Sequence, residues 1–258
     1  MKIQDLKDKK ILILGYGREG KDALDFILKL FPEQEIGVAD KNEEIKIKDK
    51  RVKLHLGKDY LKSVKDYDVV IKSPGINYFD SDKIISSTEI FFDNFKGKII
   101  GITGTKGKSS TSSLTYLLLK NAGYNVCLLG NIGTAALKKT ITSKETDWCV
   151  YELSSHHLFN ARIRPYIAVI LNIYPEHLDY YKNFTQYQNA KKNITKYQKS
   201  EDYLITNLDI KTKAKLINFK SINNDKIHPD NLGVVCAVAK ILSISDQILQ
   251  KTFNRSEE

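Results

Sequence analysis

Long apolar runs are missing from this 258-residue sequence. No stretch approaches the ~18 apolar residues of a membrane span, so a helical membrane protein is not expected. Cysteine is scarce. Cys127, Cys149 and Cys236 lie far apart and form no C-x-x-C, which argues against a disulfide frame or a zinc site and for reduced thiols in a cytoplasmic protein. The start, MKIQDLKDKKILILG, runs charges into a short apolar strand with no cleavage-like segment, so no secretory leader is expected. Internal repeats, low-complexity tracts and aromatic–basic modules are also lacking, and no nucleic-acid partner is expected.

What is present begins with charge. The formal net charge is +10, which reads either as a surface for a polyanionic partner or as a lysine-rich solvated surface. The lysines are scattered, as in KIKDKR and NAKKNITKYQK, rather than gathered on one stripe. Strands alternate with helices throughout, predicting an α/β chain with parallel sheets. In the first unit, residues 1–94, KKILILG, EIGVAD and YDVVIKSPGI read as strands and REGKDALDFILKLF as a helix. In the second, residues 95–258, KGKIIGITG, YNVCLLG, TDWCVYELSS, YIAVILNI and DYLITN read as strands. KSSTSSLTYLLLKNAG, FTQYQNAKKNITKYQ and DNLGVVCAVAKILSIS read as helices. The expected architecture is an N-terminal Rossmann-like parallel-sheet domain followed by a P-loop-type α/β domain.

The chemistry concentrates in GITGTKGKSSTSSL (101–114). The strict phosphate-loop pattern G-x-x-x-x-G-K-(S/T) fails by one place, because its first glycine would fall at Ile102. The context nevertheless suits an anion: a buried strand, a glycine turn, then a helix N-terminus whose unpaired amides and dipole face the ligand. Gly104 and Gly107 let the backbone curl. Lys108 offers a charge for the β/γ-phosphates, and Ser109 a hydroxyl for Mg²⁺. The alternative is a turn with a surface lysine. Glu152 ends an apolar strand, where the carboxyl ends of an open parallel sheet face a ligand crevice. It is placed to hold Mg²⁺ through oxygen, or to serve as a helix-start acid. His177 follows a second buried strand in the same way. GYGREG (15–20) with Asp40 ending the next strand is a G-x-G-x-x-G signal for a dinucleotide, and it keeps an NAD-linked enzyme open.

G-T-K-G-K-S-S (104–110) resembles the ATP loop of the Mur ligase family, whose form is G-T-x-G-K-(S/T)-(S/T), so the altered spacing is that family's own. LLGNIGTA (128–135), YELSSHHL (151–158), LNIYPEHLDYY (171–181), YQNAK (187–191) and SPGI (73–76) resemble further family segments in the same order. Together they point to its D-glutamate-adding branch. The resemblance implies an ATP-dependent, amide-forming ligase of peptidoglycan precursor synthesis. UDP-N-acetylmuramoyl-L-alanine and D-glutamate would be its substrates, with an acyl phosphate between them.

It implies ATP contacts at Gly104, Thr105, Lys106, Gly107, Lys108, Ser109 and Ser110. Two Mg²⁺ would be held by Ser109, Glu152, His177 and Lys191, the last as a carbamate. The implied catalytic set is Lys108, Glu152, His177 and Lys191. Asn131 and Ser155 would line the substrate pocket. The G-x-G-x-x-G turn would carry uridine diphosphate, with Gly17, Arg18, Glu19, Asp40 and Gly75 around it. Asn231 matches the second Asn of an adenine-side motif, G-x-H-N-x-x-N, which is degraded here. His156 and His157 stand where Phe and Gln are usual and are assigned no role. The resemblance covers the first two of the family's three domains. The third is expected to be missing from this chain or supplied by a separate one.

Overall fold

The computed structural model describes residues 1–77, 82–130, 136–225 and 227–255. In chain order its first elements are β1 (Ile11–Leu14), α1 (Arg18–Leu30), β2 (Ile36–Asp40), β3 (Val52–Leu56), β4 (Val69–Lys72), β5 (Ile84–Ser86) and α2 (Ser87–Asn94). Then follow β6 (Lys98–Thr103), α3 (Lys108–Asn121), β7 (Val126–Leu129), α4 (Ala136–Thr142), β8 (Trp148–Glu152), α5 (Ser155–Leu158) and β9 (Ile167–Ile170). The last are α6 (Phe184–Lys192), β10 (Tyr203–Ile205), β11 (Lys215–Ile217), α7 (Pro229–Ile241) and α8 (Asp246–Arg255). Two compact units result: Met1–Asn94 with Ala135–Thr142, and Phe95–Thr134 with Ser143–Glu258. Helix α4 thus returns to the first unit and packs on α1 and α2.

The first unit holds a five-stranded parallel sheet in the order β3-β2-β1-β4-β5. All four residues of β1 are buried, because helices cover both faces of such a sheet and a central strand meets no water. Helix α1 turns Ala23, Leu24, Phe26 and Ile27 inward at helical spacing. The second unit holds a six-stranded parallel sheet in the order β11-β10-β9-β6-β8-β7. Its core gathers Ile100 and Ile102 of β6 with Leu114, Leu118 and Leu119 of α3 and Val234, Val235 and Val238 of α7. Strand β6 lies between β8 and β9, so the strand order reverses at its carboxyl end, where ligands of open α/β sheets bind. The α/β class with parallel sheets agrees with the sequence pattern.

Several elements escape that pattern. Strands β5 and β11 are three residues each, too short to show a period, and β11 is a partly exposed edge. The helix expected from Phe184 onward ends at Lys192 and tightens into a 3₁₀ turn, Asn193–Thr195. There the Asn193 amide donates to the carbonyls of Leu158 (2.7 Å) and Ala161 (2.6 Å), tying the chain down. Among the described residues no helix is long and apolar enough to cross a membrane.

Candidate active site

The loop between β6 and α3 is held by three neighbours. Gly107 has φ 84°, and a Cβ there would stand 2.7 Å from Asn231 Oδ1. Only glycine takes that left-handed turn without strain while Asn231 packs against it. Asn172, just past β9, pins the near side. Its Oδ1 accepts from the backbone amides of Thr105 (3.1 Å) and Lys106 (2.9 Å), and its Nδ2 donates to the Lys106 carbonyl (3.2 Å). Tyr187 of α6 closes the third side, its hydroxyl 3.1 Å from Thr105 Oγ1, while the Tyr174 amide donates to the same Oγ1 (2.9 Å).

Two lysines converge on one carbonyl. Lys108 Nζ donates to Gly104 O and Thr105 O, each at 3.0 Å. Lys191 Nζ donates to Gly104 O at 2.8 Å and stands 4.8 Å from the centre of the Tyr187 ring. Lys191 is 2 % exposed. Burial, with the Lys108 charge added, pushes its ammonium down to about 7. The amine is therefore available in neutral, nucleophilic form near neutral pH. Ser109 and Ser110 are exposed on the first turn of α3.

Glu152 ends β8 beside Ile102 of β6. It is 2 % exposed, and its Oε2 is buried without a hydrogen-bond partner. Such an oxygen is costly unless a cation or donor meets it, so this residue suits a metal ligand. His177 has a left-handed backbone (φ 56°), a strained conformation of the kind that gathers at functional sites. Its Nε2 lies 3.7 Å from Glu176 Oε2, and Glu176 Oε1 pairs with Lys106 at 3.2 Å. Among the described residues no three His, Cys, Asp or Glu side chains are gathered as a metal cluster, so Glu152 and His177 form no ready-made carboxylate–imidazole cage. Ser155 is buried at the start of α5. Asn131 lies outside the described residues.

The two histidines without an assigned role are explained. His156 packs edge-on against Tyr180 (centroids 4.3 Å apart) and His177 (5.0 Å). Burial, then the His177 charge, pushes it down to about 4, so it serves as a neutral aromatic ring. The His157 Nδ1 accepts from the Ser154 amide at 3.1 Å, and Ser154 Oγ in turn accepts from the His157 amide. Asn172, Tyr187 and Glu176 were not singled out by type. The available signal was position, since Asn172 stands two residues past β9.

In the first unit, Gly20 approaches the Gly15 carbonyl so closely that a Cβ would stand 1.9 Å from it. Asp40 Oδ2 accepts from the Tyr16 amide (2.7 Å) and Oδ1 from the Asn42 amide (2.9 Å). The space around Gly17 and Gly75 is open to a Cβ, and Arg18 and Glu19 begin α1. Lys72, 6 % exposed, donates to the carbonyls of Ile76 (2.8 Å) and Ser73 (3.3 Å). Ser73 Oγ donates to Gly15 O at 2.8 Å.

Residues 102–229 match the Mur ligase middle domain. The chain belongs to the Mur ligase family. It is 38% identical over 223 residues to the UDP-N-acetylmuramoylalanine--D-glutamate ligase of Clostridium kluyveri, covering 80% of this chain and 48% of that protein. It is 35% identical over 220 residues to the enzyme of the same name from Acetivibrio thermocellus, covering 79% and 47%. The chain therefore spans about half the length of the curated relatives it matches. In fold it is similar to the UDP-N-acetylmuramate:L-alanyl-gamma-D-glutamyl-meso-diaminopimelate ligase of Neisseria meningitides. The TM-score is 0.59 at 16% identity, over 95% of this chain and 97% of that one.

Proposed function

We propose that this Mur ligase family chain binds ATP and a UDP-sugar-peptide for an amide-forming ligation in peptidoglycan precursor synthesis. The proposed reaction adds D-glutamate to UDP-N-acetylmuramoyl-L-alanine. Relatives named for that ligation suggest the substrates. The observation that carries the reading is the convergence of Lys108 and Lys191 on the Gly104 carbonyl at the N-terminus of α3. A carboxylate oxygen of the sugar-peptide attacks the γ-phosphorus of ATP and ADP leaves. The amine of D-glutamate then attacks the acyl carbon, and phosphate leaves as the amide forms. The first step brings anion to anion. Lys108 and the α3 amides offset that repulsion and hold the charge on the transferring phosphoryl group.

Glu152, with its unpartnered buried oxygen, and Ser109 would hold one Mg²⁺. His177, Glu152 and Lys191 as a carbamate would hold a second. When bound, Mg²⁺ supplies Lewis-acid neutralisation of phosphate charge. Carbamylation joins the neutral Lys191 amine to CO₂ with loss of a proton. It replaces a like-charge encounter with Lys108 by an attraction. In the first unit, Gly17, Arg18, Glu19, Asp40 and Gly75 would meet uridine diphosphate. Asn231, buried against Gly107, would stand on the nucleotide side of the loop. The reading places the protein in the cytoplasm, where ATP is at hand.

A second reading rests on the span of about half the relatives' length. In it the chain binds nucleotide, and a partner chain completes the amino-acid site. One experiment separates the two. The chain is given ATP, Mg²⁺, UDP-N-acetylmuramoyl-L-alanine and D-glutamate, and phosphate release and amide product are followed with and without bicarbonate. Turnover that falls in CO₂-free buffer and returns with bicarbonate supports the ligase and the carbamate. Tight binding of an ATP analogue without turnover supports the second reading. An absence of both binding and turnover sinks both.

A further inference from the structure

Cys127 and Cys149 are 22 positions apart in sequence and directly opposite in space. Strands β7 and β8 run parallel with Cys127 in register with Cys149. Neighbouring strands lie about 4.7–4.9 Å apart, which puts the two Cα atoms inside the ~4.4–6.8 Å range that a disulfide spans. Side chains alternate along a strand, so both thiols leave the same face of the sheet. The opposite face is accounted for, because Val126, Leu128, Trp148 and Val150 all belong to the core under α3 and α7. The Cys127 thiol is close enough to perturb the Cys149 thiol. Their environments differ: Cys149 is fully buried, whereas Cys127 is partly open to solvent.

We propose that Cys127 and Cys149 form a peroxide-sensitive dithiol that closes reversibly to a cross-strand disulfide. Exposure sets the order of events. The Cys127 thiolate attacks one oxygen of hydrogen peroxide, the O–O bond breaks, and the departing oxygen leaves as hydroxide and takes up the proton that the Cys127 thiol gave up. Cys127 is now a sulfenic acid. The Cys149 sulfur attacks the Cys127 sulfur, the S–O bond breaks, and water leaves with the proton that Cys149 gives up. For hydrogen peroxide the sum is two thiols and one peroxide going to one disulfide and two waters. The thiols lose two electrons and the peroxide gains them.

Burial and its neighbour raise the Cys149 thiol well above the usual range, which suits it to resolve a contact already made rather than to meet oxidant first. The disulfide would lie three residues before Glu152, which ends β8, and three before Gly130, which follows β7. Those two ends touch, since a Cβ on Gly130 would meet the Glu152 carbonyl at 2.3 Å. The link would therefore fix the strand pair just behind Glu152. The inference rests on register and burial, and it stands whether or not the ligase reading does.

The test uses the full chain, fully reduced, treated with one equivalent of hydrogen peroxide, then acid-quenched, alkylated and mapped by mass spectrometry. The expected product has lost two hydrogens and gives one peptide linking Cys127 to Cys149, which dithiothreitol releases. Cys236, on α7 and also partly open, is expected to stay alkylatable. In Cys149→Ser the reaction is expected to stop at a Cys127 sulfenic acid that dimedone traps, while Cys236→Ser still forms the link. Oxidation of Cys127 beyond the sulfenic acid with Cys149 still a free thiol in the wild-type chain would overturn the proposal. So would a dominant link through Cys236, or intact thiols at both positions after Cys236 has reacted.

Discussion

The turn after β1 and the turn after β6 are built alike. Each leaves a buried central strand, each enters a helix, and each has an early amide pinned by a side chain near the end of a neighbouring strand. In the first unit the pin is Asp40 of β2, accepting from the Tyr16 amide. In the second it is Asn172, just past β9, accepting from Thr105 and Lys106. The pins differ in charge, and so does what surrounds them. Asp40 brings a carboxylate to its turn, and a buried lysine of that unit, Lys72, donates to the carbonyls of Ser73 and Ile76. Asn172 brings no charge, and two lysines point at a carbonyl of the loop itself. A neutral pin beside the Lys108 ammonium suits a highly charged anion. A carboxylate pin suits hydroxyls and a less charged diphosphate. In the proposed function the same turn is set for different ligands by what stands behind it.

The largest effect should come from removing the charge that most separates the turns. Lys108→Ala is expected to lower ATP turnover about 10²–10³-fold, the scale for losing one preorganised electrostatic contact. Circular dichroism should be unchanged, since Lys108 is only half-buried at a helix start. Equal turnover in the variant would remove Lys108 from the chemistry. A smaller effect should follow from making the second pin resemble the first. Asn172→Asp sets a carboxylate under the loop and loses the donor to the Lys106 carbonyl. Calorimetry with a non-hydrolysable ATP analogue should show affinity weakened roughly tenfold, or about 1.4 kcal/mol. Wild-type affinity in this variant would mean that the charge of the pin does not distinguish the turns.

The sequence made one half of this comparison far more visible than the other. Buried strands such as ILIL and WCVY announce themselves, and so do glycine turns followed by helices, because period and turn chemistry are local. The ends of β6 and β8, and therefore Lys108 and Glu152, could be placed from such local signals. Lys191 could not. On a helix it looks like any solvated lysine, and only the Y-x-x-A-K resemblance singled it out. Its burial against Gly104 depends on how α6 meets a loop 87 residues earlier. Asn172 and Lys72 were missed for the same reason, since an amide and a lysine become structural only when a distant turn folds over them. The Cys127–Cys149 register is non-local as well. Spacing read along the chain pointed to isolated reduced thiols, and the parallel pairing of β7 with β8 sets them side by side. Residues 131–135, Asn131 among them, lie outside the described residues.

Lys72 offers the finest test, because its role in the first unit is read through pH. Burial pushes it down to about 8, against the opposing pull of Glu89 and Glu19, whereas in an unfolded chain it titrates near 10.4. Between those values the unfolded state binds the extra proton, so stability rises with pH across that window and the gain is lost as pH falls through about 8. Lys191 contributes a slope of the same sign starting near 7, but it is common to wild type and a Lys72→Met variant and cancels in their difference. Urea unfolding of both proteins at pH 8 and pH 9 should therefore show the wild type gaining about 1 kcal/mol on the variant over that step. If the two proteins shift together, Lys72 titrates as an ordinary lysine. The carbonyls of Ser73 and Ile76 would then be held by something other than a desolvated ammonium, and the contrast between the two turns would rest on the second alone.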